Sequence, residues 1–367
     1  MRFLILSGNT GGGHNTAAKA IKEYFESQGH SCDIRDALAF MSEGSSYIIS
    51  NGHVLIYKKA PKLFGFAYKF EENHPAKENG ESFIYSVMTL GAKKMNAYLE
   101  KEEYDAVICT HIFSGMILTE VCKKYKKKIK SYLVATDYTC SPGVSEVHAD
   151  GYFIPHENLR EEFLLARLEP ERVIASGIPV SDKLFDGMEK SEAKKKLGLP
   201  ADKKTVLLMS GSMGCGPIKK ISESFDRELP DNCHIVVICG NNKKLFTDLS
   251  KRKKYKKTTI VGFTSDIKTY LDAAEVVVTK AGGLSTTEAL VKHKPLILMN
   301  AVPGCELRNI EFLTQEKLAV QCDVEDLVNS VELHLTDENY YAERENAVKV
   351  YKYNSVKTIY DYIINNL

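Results

Sequence analysis

The sequence lacks long apolar runs and a net charge of either sign. No stretch approaches the run of about 18 apolar residues that a membrane-spanning helix requires. The first apolar run, at residues 3–6, is too short for the core of a signal peptide. Lysine and arginine number 49 and aspartate and glutamate 48, so no overall field would gather nucleic acid. We therefore expect a soluble protein that at most rests on a membrane surface.

Paired spacings of metal ligands and cysteines are also missing. The nine cysteines are odd in number, scattered and never spaced C-x-x-C, which favours a reducing cytoplasm. No two aspartates form a D-x-D pair, and the ten histidines show no paired ligand spacing. The sequence predicts a reaction that needs neither a metal ion nor a cofactor.

Short apolar runs suited to buried parallel strands alternate with helical patterns, which predicts open parallel sheets. These runs are residues 3–6, 106–109, 132–135, 152–154, 206–209, 234–238, 259–261, 276–279 and 296–299. The alternation restarts after a polar, lysine-rich stretch at residues 181–204. A chain of 367 residues is also longer than one core usually supports. We predict α/β domains at residues 1–180 and 181–340, and a C-terminal helix at residues 341–367 that packs back toward the first domain.

Two lysine-rich runs, residues 123–130 and 251–257, each come directly before a strand. The amino ends of parallel strands lie opposite the carboxyl-end edge where open α/β sheets bind ligands. We interpret both runs as solvated turns.

The first polar turn, GNTGGGH at residues 8–14, joins the first strand to a helix pattern. Asp36 follows the second strand, where a nicotinamide-binding domain would hold a ribose, but the glycine spacing is not G-x-G-x-x-G. His14 falls at the start of the helix, where the helix dipole disfavours an imidazolium. A neutral imidazole can act as a general base, although such a histidine can equally cap or pack the turn.

Two further turns of small residues follow strands in the second half. Residues 210–217, SGSMGCGP, would expose consecutive amides to an anion such as a diphosphate. Residues 282–286 offer amides and hydroxyls to phosphate oxygens, and the carboxylate of Glu288 can accept both hydroxyls of a ribose. Glu306 and Asn309 follow the next strand and can bind sugar hydroxyls. Ligand-free turns are the alternative, but loops paired on adjacent strands favour a nucleotide-sugar site.

Taken together these motifs resemble a known family. The segments that carry the resemblance are GNTGGGH followed by NTAA, VATDYT, MSGSMG, VGFTSDI, TKAGGLSTTEAL and PGCELRN. They look like those of the monogalactosyldiacylglycerol synthases and processive diacylglycerol glucosyltransferases of glycosyltransferase family 28, relatives of the lipid II transferase MurG. The similarity runs in order from Phe3 to Val320. It implies a GT-B fold, in which two Rossmann-like α/β domains have parallel sheets that face a central cleft.

The resemblance implies inverting transfer of glucose or galactose from a UDP-sugar to a diacylglycerol-type lipid, without a metal ion. The expected partners are the UDP-sugar, the lipid and a membrane surface, and the expected location is the cytoplasmic, inner face of the cell membrane. Two acceptor-side segments, at residues 110–113 and 140–143, depart from the family pattern. Two alternatives therefore stay open: a transferase acting on a polyprenyl- or peptidoglycan-type lipid, and a UDP-N-acetylglucosamine 2-epimerase. A nicotinamide oxidoreductase is disfavoured because the first glycine turn lacks the G-x-G-x-x-G spacing.

The same resemblance implies roles for individual residues. His14 would take the acceptor proton, with Asp137 as a positioning or secondary acid-base group. The acceptor side would include Gly12, Gly13 and His111. The implied donor-binding residues are Gly211, Ser212, Gly214, Gly282, Gly283, Ser285 and Thr286 at the diphosphate, Phe263 and Thr264 at the uracil, Glu288 at the ribose, and Glu306 and Asn309 at the hexose.

Residues 47–70 interleave apolar side chains, Phe64 and Phe66 among them, with lysines. Apolar anchors flanked by cations are typical of segments that bind a membrane interface. Core packing of a long insertion explains the same pattern, and the two interpretations stay open at this point.

Overall fold

The computed structural model describes residues 1–9, 12–41, 82–209, 211, 214, 216–252, 255–299 and 304–367. The chain divides into two compact units. The first runs from Met1 to Asp182 and resumes at Tyr353, and the second lies between Lys183 and Lys352, except that Gly304 and Cys305 cluster with the first. The return at Tyr353 comes later in the chain than residue 341, where the sequence pattern placed it. The segment with Phe64 and Phe66 lies outside the described residues.

Each unit contains a six-stranded sheet, and all the strand pairs are parallel. The first sheet consists of β1 (Arg2–Ser7), β2 (Ser31–Asp36), β3 (Ala106–Cys109), β4 (Lys130–Val134), β5 (Gly151–Ile154) and β6 (Val173–Ala175). The second consists of β7 (Lys204–Met209), β8 (Cys233–Ile238), β9 (Thr258–Val261), β10 (Val276–Lys280), β11 (Leu296–Met299) and β12 (Val320–Cys322). The edge strands β6 and β12 were not among the predicted runs.

The helices occupy the connections between the strands. They are α1 (Gly12–Ser27), α2 (Phe83–Met88), α3 (Ala92–Lys101), α4 (Ile112–Tyr125), α5 (Arg160–Leu165), α6 (Lys190–Leu197), α7 (Ile218–Glu228), α8 (Lys243–Ser250), α9 (Ile267–Ala273), α10 (Gly283–Val291), α11 (Cys305–Gln315), α12 (Leu327–Thr336), α13 (Glu338–Val348) and α14 (Ser355–Asn365).

The strand order locates one switch point in each sheet. The first order is β2-β1-β3-β4-β5-β6. The chain adds β2 on one side of β1 and the later strands on the other side, so the switch point lies between β1 and β3. The second order is β12-β11-β10-β7-β8-β9, with the change between β7 and β10. Open parallel sheets bind ligands beyond the carboxyl ends of the strands at such points. The two sheets confirm the predicted pair of Rossmann-like domains.

The C-terminal helix α14 belongs to the core of the first unit. Val356, Ile359 and Ile363 recur at helical spacing and are fully buried against β1 and α1. The ring of Tyr360 meets Phe25 of α1 edge to face, with 5.1 Å between the ring centroids. Helix α1 therefore packs against both the sheet and α14.

One lysine-rich run differs from its predicted role. Lys257 is 5% exposed, and its ammonium donates to the backbone carbonyls of Leu229 and Pro230. A buried ammonium requires such acceptors. Lys257, the last residue of the run at 251–257, therefore anchors β9 to the end of α7 and is not part of a solvated turn, whereas the run at 123–130 is largely exposed.

Candidate active site

His14 lies in the first turn of α1, just beyond the carboxyl end of β1. Its Nδ1 is 2.9 Å from the carbonyl oxygen of Thr110 and 2.8 Å from Oγ1 of Thr136. A carbonyl oxygen only accepts, so Nδ1 carries the proton and donates it to Thr110. This tautomer leaves the lone pair of Nε2 free to take a proton.

Burial keeps the ring of His14 neutral. Desolvation lowers its pKa to about 4, and the hydrogen bond to the carbonyl of Thr110 opposes this shift only in part. The positive end of the α1 dipole acts in the same direction as burial. His14 is therefore in its base form throughout the physiological pH range.

Asp137 follows Thr136 in the connection after β4 and is half-buried. Its backbone carbonyl accepts a hydrogen bond from the amide of Thr139 at 2.9 Å. Because Thr110 and Thr136 occupy Nδ1 of His14, a carboxylate does not orient the ring through that nitrogen. The secondary acid-base role of Asp137 stays a prediction.

A chain of polar side chains holds the turn before His14. Ser7 donates to Asn15, Asn15 donates to Asn9, and Asn9 donates to Asp36, at 2.6, 2.6 and 2.7 Å. The other carboxylate oxygen of Asp36 accepts from the amide of Leu38 at 3.0 Å. The acid that a nicotinamide-binding domain would offer to a ribose is thus engaged in the protein, which further disfavours the oxidoreductase alternative.

The predicted acceptor-side residues come together at the switch point of the first sheet. Gly12 and Gly13 form the start of α1. His111 caps α4, where its Nδ1 accepts from the amide of Phe113 at 3.1 Å. The rings of His111 and His14 meet edge to face, with 4.3 Å between their centroids.

In the second unit, a lysine that sequence reasoning overlooked lies between two glycine turns. Lys280 ends β10, and a Cβ added to Gly211, which follows β7, would come within 2.7 Å of its Cε. The ammonium of Lys280 pairs with Glu306 at 2.5 Å, and both side chains are largely buried. A positive charge thus stands at the switch point between β7 and β10. In the sequence, the position of this lysine between a buried strand and a glycine turn is the signal that could have identified it.

Gly214 has a packing role in the turn after β7. Its φ is +60°, and an added Cβ would lie 2.3 Å from Cβ of Asn242. The side-chain amide of Asn242 donates to the carbonyl of Gly214 at 2.8 Å, and its oxygen caps α8. Glycine is required here because the turn packs against the start of α8. Ser212 lies outside the described residues.

Helix α10 begins at the second glycine turn. Gly282 is its N-cap and Gly283 its first residue, so the first amides of the helix can bind an anion. Thr286 is fully buried, and its hydroxyl donates to the carbonyls of Gly282 and Gly283 at 3.0 and 2.9 Å. The hydroxyl predicted to hold a phosphate therefore serves the helix instead. Gly282, Gly283 and the half-buried Ser285 stay as candidates.

Glu288 lies one turn into α10 and is half-buried. Desolvation raises the pKa of its carboxyl to about 7. Within the described parts of the chain, it has no hydrogen-bond or ion-pair partner. A poorly solvated carboxylate without a protein partner is a candidate for binding a ligand.

The two residues predicted to hold the hexose lie in α11. Asn309 is fully buried, and its amide donates to the carbonyl of Ala281 at 2.8 Å, which fastens α11 to the loop after β10. Glu306 is buried against Lys280. Asn309 thus positions the loop, and Glu306 connects it to the charge at the switch point.

The residues predicted to face a uracil follow the edge strand β9. Phe263 is 67% exposed, and Oγ1 of Thr264 accepts from the amide of Asp266 at 3.0 Å. Strands β8 and β7 separate β9 from the switch point. Phe263 and Thr264 therefore lie at the same sheet edge as the glycine turns, but farther out.

Models of known protein families match both units. Residues 14–180 match the monogalactosyldiacylglycerol (MGDG) synthase model, and residues 205–359 match the glycosyltransferase family 28 C-terminal domain. A probable monogalactosyldiacylglycerol synthase 3 of rice is 27% identical over 86% of this chain, which covers 64% of the rice protein. A processive diacylglycerol beta-glucosyltransferase of Bacillus pumilus is 26% identical over 99% of this chain and 94% of its own length.

Solved structures confirm the fold. MurG of Acinetobacter baumannii matches 99% of both chains with a TM-score of 0.62 and 15% identity. Alr3699/HepE of Anabaena, solved with UDP, matches 100% of this chain and 99% of its own with a TM-score of 0.59 and 14% identity. The two units thus form the GT-B fold of these glycosyltransferases. Residues 14–180 thus form a domain of the monogalactosyldiacylglycerol synthase family and residues 205–359 a glycosyltransferase family 28 C-terminal domain, and the chain is similar over most of its length to monogalactosyldiacylglycerol synthases and processive diacylglycerol glucosyltransferases.

Proposed function

We propose that the protein is an inverting hexosyltransferase that moves glucose or galactose from a UDP-sugar to a diacylglycerol-type lipid. The main support is that each switch point holds polar groups suited to one half of this reaction. The first unit offers His14 with Nε2 unprotonated, and the second offers Lys280, the start of α10 and Glu288, which has no partner among the described residues. The activities for which the rice and Bacillus relatives are named, and the UDP in the Anabaena structure, support the same chemistry.

In the proposed reaction, Nε2 of His14 takes the proton of the lipid hydroxyl as the hydroxyl oxygen attacks the anomeric carbon. The bond from that carbon to the diphosphate oxygen breaks on the opposite face, so the configuration inverts and UDP leaves with the bonding electrons. The carbonyl of Thr110 accepts from Nδ1 and stabilises the imidazolium that forms.

The departing diphosphate gains negative charge in the transition state. Lys280 and the first amides of α10 are fixed before the reaction, so they can stabilise that charge without reorganising. Glu306 holds the ammonium of Lys280 between the two glycine turns. We propose that this arrangement makes a metal ion unnecessary.

The remaining donor contacts follow from the same placement. Glu288 accepts hydrogen bonds from the ribose hydroxyls, and the backbone at Phe263 and Thr264 faces the uracil. Glu306 contacts the hexose from the first turn of α11, and Asn309 keeps that turn beside Ala281.

The proposed acceptor is a membrane lipid, so the proposal places the enzyme peripherally at a membrane surface, on its cytoplasmic side. Among the described helices, none combines the length and the apolar character of a membrane span.

Transfer to lipid tests the proposed function. Labelled UDP-glucose and UDP-galactose are each incubated with diacylglycerol vesicles, with and without EDTA, and the lipid extract is separated by chromatography. We expect one donor to label a hexosyl diacylglycerol at a rate that EDTA leaves unchanged. Label that appears only on a polyprenyl lipid, or in no lipid, would contradict the acceptor, and a loss of activity in EDTA would contradict the metal-free reaction.

The raised pKa of Glu288 predicts that donor binding depends on pH. Ribose hydroxyls bind the ionised carboxylate, so the Kd of UDP-glucose should rise as the pH falls below about 7, by up to about tenfold per pH unit. The diphosphate of UDP-glucose is esterified at both ends and does not titrate in this range. Isothermal titration calorimetry between pH 5.5 and 8 measures the effect.

The Glu288→Gln variant should bind UDP-glucose weakly at every pH in this range. Glu332→Gln, at an exposed position on α12 of the same unit, is the matched control and should follow the wild type. A pH dependence that survives in Glu288→Gln would assign the titration to another group.

A further inference from the structure

The connections after β7, β8 and β9 lie side by side at one edge of the second sheet, because these three parallel strands are neighbours in it. The connection after β7 contains the glycine turn assigned to the diphosphate. The connection after β9 contains Phe263 and Thr264, which are assigned to the uracil. The connection after β8, which leads into helix α8, lies between these two parts of the donor site.

The side chain of Asn242 joins the diphosphate turn to the start of α8. Its Nδ2 donates to the carbonyl oxygen of Gly214 at 2.8 Å, and its Oδ1 accepts from the backbone amide of Leu245 at 2.9 Å. At the other end of the turn, the amide of Gly214 donates to the carbonyl oxygen of Gly211 at 3.2 Å, and Gly211 lies against the side chain of Lys280. A line of contacts therefore runs from α8 through the turn to Lys280.

The turn and the connection after β8 are packed without spare room. A Cβ added to Gly214 would collide with Asn242 and would lie 2.5 Å from the carbonyl oxygen of Cys239. Cys239 is fully buried, and its amide donates to the carbonyl oxygen of Val261, the last residue of β9, at 2.8 Å. The connection after β8 thus touches the diphosphate turn on one side and β9 on the other.

Helix α8 also supports the segment assigned to the uracil. Phe246 lies one turn into the helix, and its amide donates to the carbonyl oxygen of Asn242 at 3.0 Å. Its ring lies beside Gly262, where an added Cβ would come within 3.7 Å of the ring, and Gly262 directly precedes Phe263. Leu249, near the end of α8, is fully buried in the core of the second unit. The helix is therefore a fixed support for both parts of the donor site.

We propose that Asn242 and Phe246 are positioning residues for a nucleoside diphosphate, and that α8 sets the spacing between the diphosphate turn and the segment that faces the base. Asn242 fixes the turn, and Phe246 supports the backbone at Gly262. A site that is fixed before the ligand arrives binds more tightly, because less conformational freedom is lost on binding. The inference rests on the proposed function in that the donor is a UDP-sugar.

The variant Asn242→Ser separates the helix cap from the contact with the turn. Serine caps a helix about as well as asparagine does, but it has no amide to donate to Gly214. We expect the Kd of UDP to rise about three- to tenfold, the usual effect of one hydrogen bond, and the Kd of uridine to change by less than about twofold. Isothermal titration calorimetry of the full chain with each ligand measures both values, and the thermal unfolding midpoint should stay near that of the wild type.

The variant Phe246→Ala tests the other end of the support. It removes the ring beside Gly262, so the segment that faces the base is held less firmly. We expect UDP and uridine to lose affinity by the same factor, at least about threefold, because both ligands carry the base. The ratio of the two Kd values should stay at the wild-type value, in contrast to Asn242→Ser. The same calorimetry measures this ratio.

Two control variants accompany these measurements. Asn354 caps α14 in the first unit through a bond of the same kind, from the amide of Lys357, so Asn354→Ser should leave both Kd values unchanged. Asn242→Ala removes the cap together with the amide. It should unfold at a lower temperature than Asn242→Ser but bind UDP no better.

The outcomes that oppose the inference can be told apart. If Asn242→Ser bound UDP as the wild type does and only Asn242→Ala were impaired, Asn242 would be a helix cap alone and the inference would be overturned. An equal loss of UDP and uridine in Asn242→Ser would refute its assignment to the diphosphate turn, and unchanged affinities in Phe246→Ala would refute the support of the base segment. A wild-type protein that bound UDP no better than uridine would contradict the donor site of the proposed function itself.

Discussion

Replacing His14 with alanine should lower kcat by about 10²- to 10⁴-fold, the usual contribution of a positioned general base. The affinity for UDP should stay at the wild-type value, because the residues assigned to the donor lie in the second unit. Single-turnover kinetics and calorimetry with UDP separate the two effects.

Thr136→Val is a graded control for His14→Ala. It removes the hydroxyl beside Nδ1 but leaves the carbonyl of Thr110, which fixes the tautomer. We expect a smaller loss of kcat than in His14→Ala. If His14→Ala abolished UDP binding while bound substrate still turned over, the histidine would be structural and the assignment of the base would be wrong.

Replacing Lys280 with methionine should weaken UDP binding by roughly tenfold to hundredfold and lower kcat by about a further 10²-fold. The ammonium is held between Gly211 and Gly282, where the diphosphate is proposed to bind. Binding of uridine, which has no phosphate, should be unaffected. Calorimetry with the two ligands provides this comparison within a single variant.

The double variant Lys280→Met, Glu306→Gln addresses the ion pair itself. The single variant leaves Glu306 as a buried and unpaired carboxylate, which is destabilising in its own right. The double variant removes that charge. If UDP binding returned to the wild-type value in the double variant, Lys280 would serve only to neutralise Glu306, and the proposed contact with the diphosphate would be refuted.

The sequence was sufficient for the features that depend on local pattern. Apolar runs as short as that of β3 predicted buried parallel strands, because a sheet covered on both faces requires continuous burial. The glycine turns at 8–14 and 282–286 were predicted to bind ligands because each directly follows such a strand, and those strands, β1 and β10, border the two switch points in the structure. The family resemblance supplied the GT-B fold, which the solved structures confirm.

Contacts between residues that are far apart along the chain could not be predicted from local sequence patterns. Thr110 and Thr136, which fix the tautomer of His14, are 96 and 122 residues away along the chain. In the sequence, Lys280 is only the polar end of a strand. Its close approach to Gly211 is visible only in the structure. Conversely, the hydroxyl of Thr286 looked free to bind phosphate, but it satisfies carbonyls inside its own helix.

The stereochemistry of the product tests the central claim most directly. UDP-hexose labelled with ¹³C at the anomeric carbon, whose configuration is α, is incubated with diacylglycerol vesicles, and the lipid product is examined by NMR. A single displacement with His14 as base predicts a β-linked hexosyl diacylglycerol. An α-linked product, or label that never enters a lipid, would contradict the account.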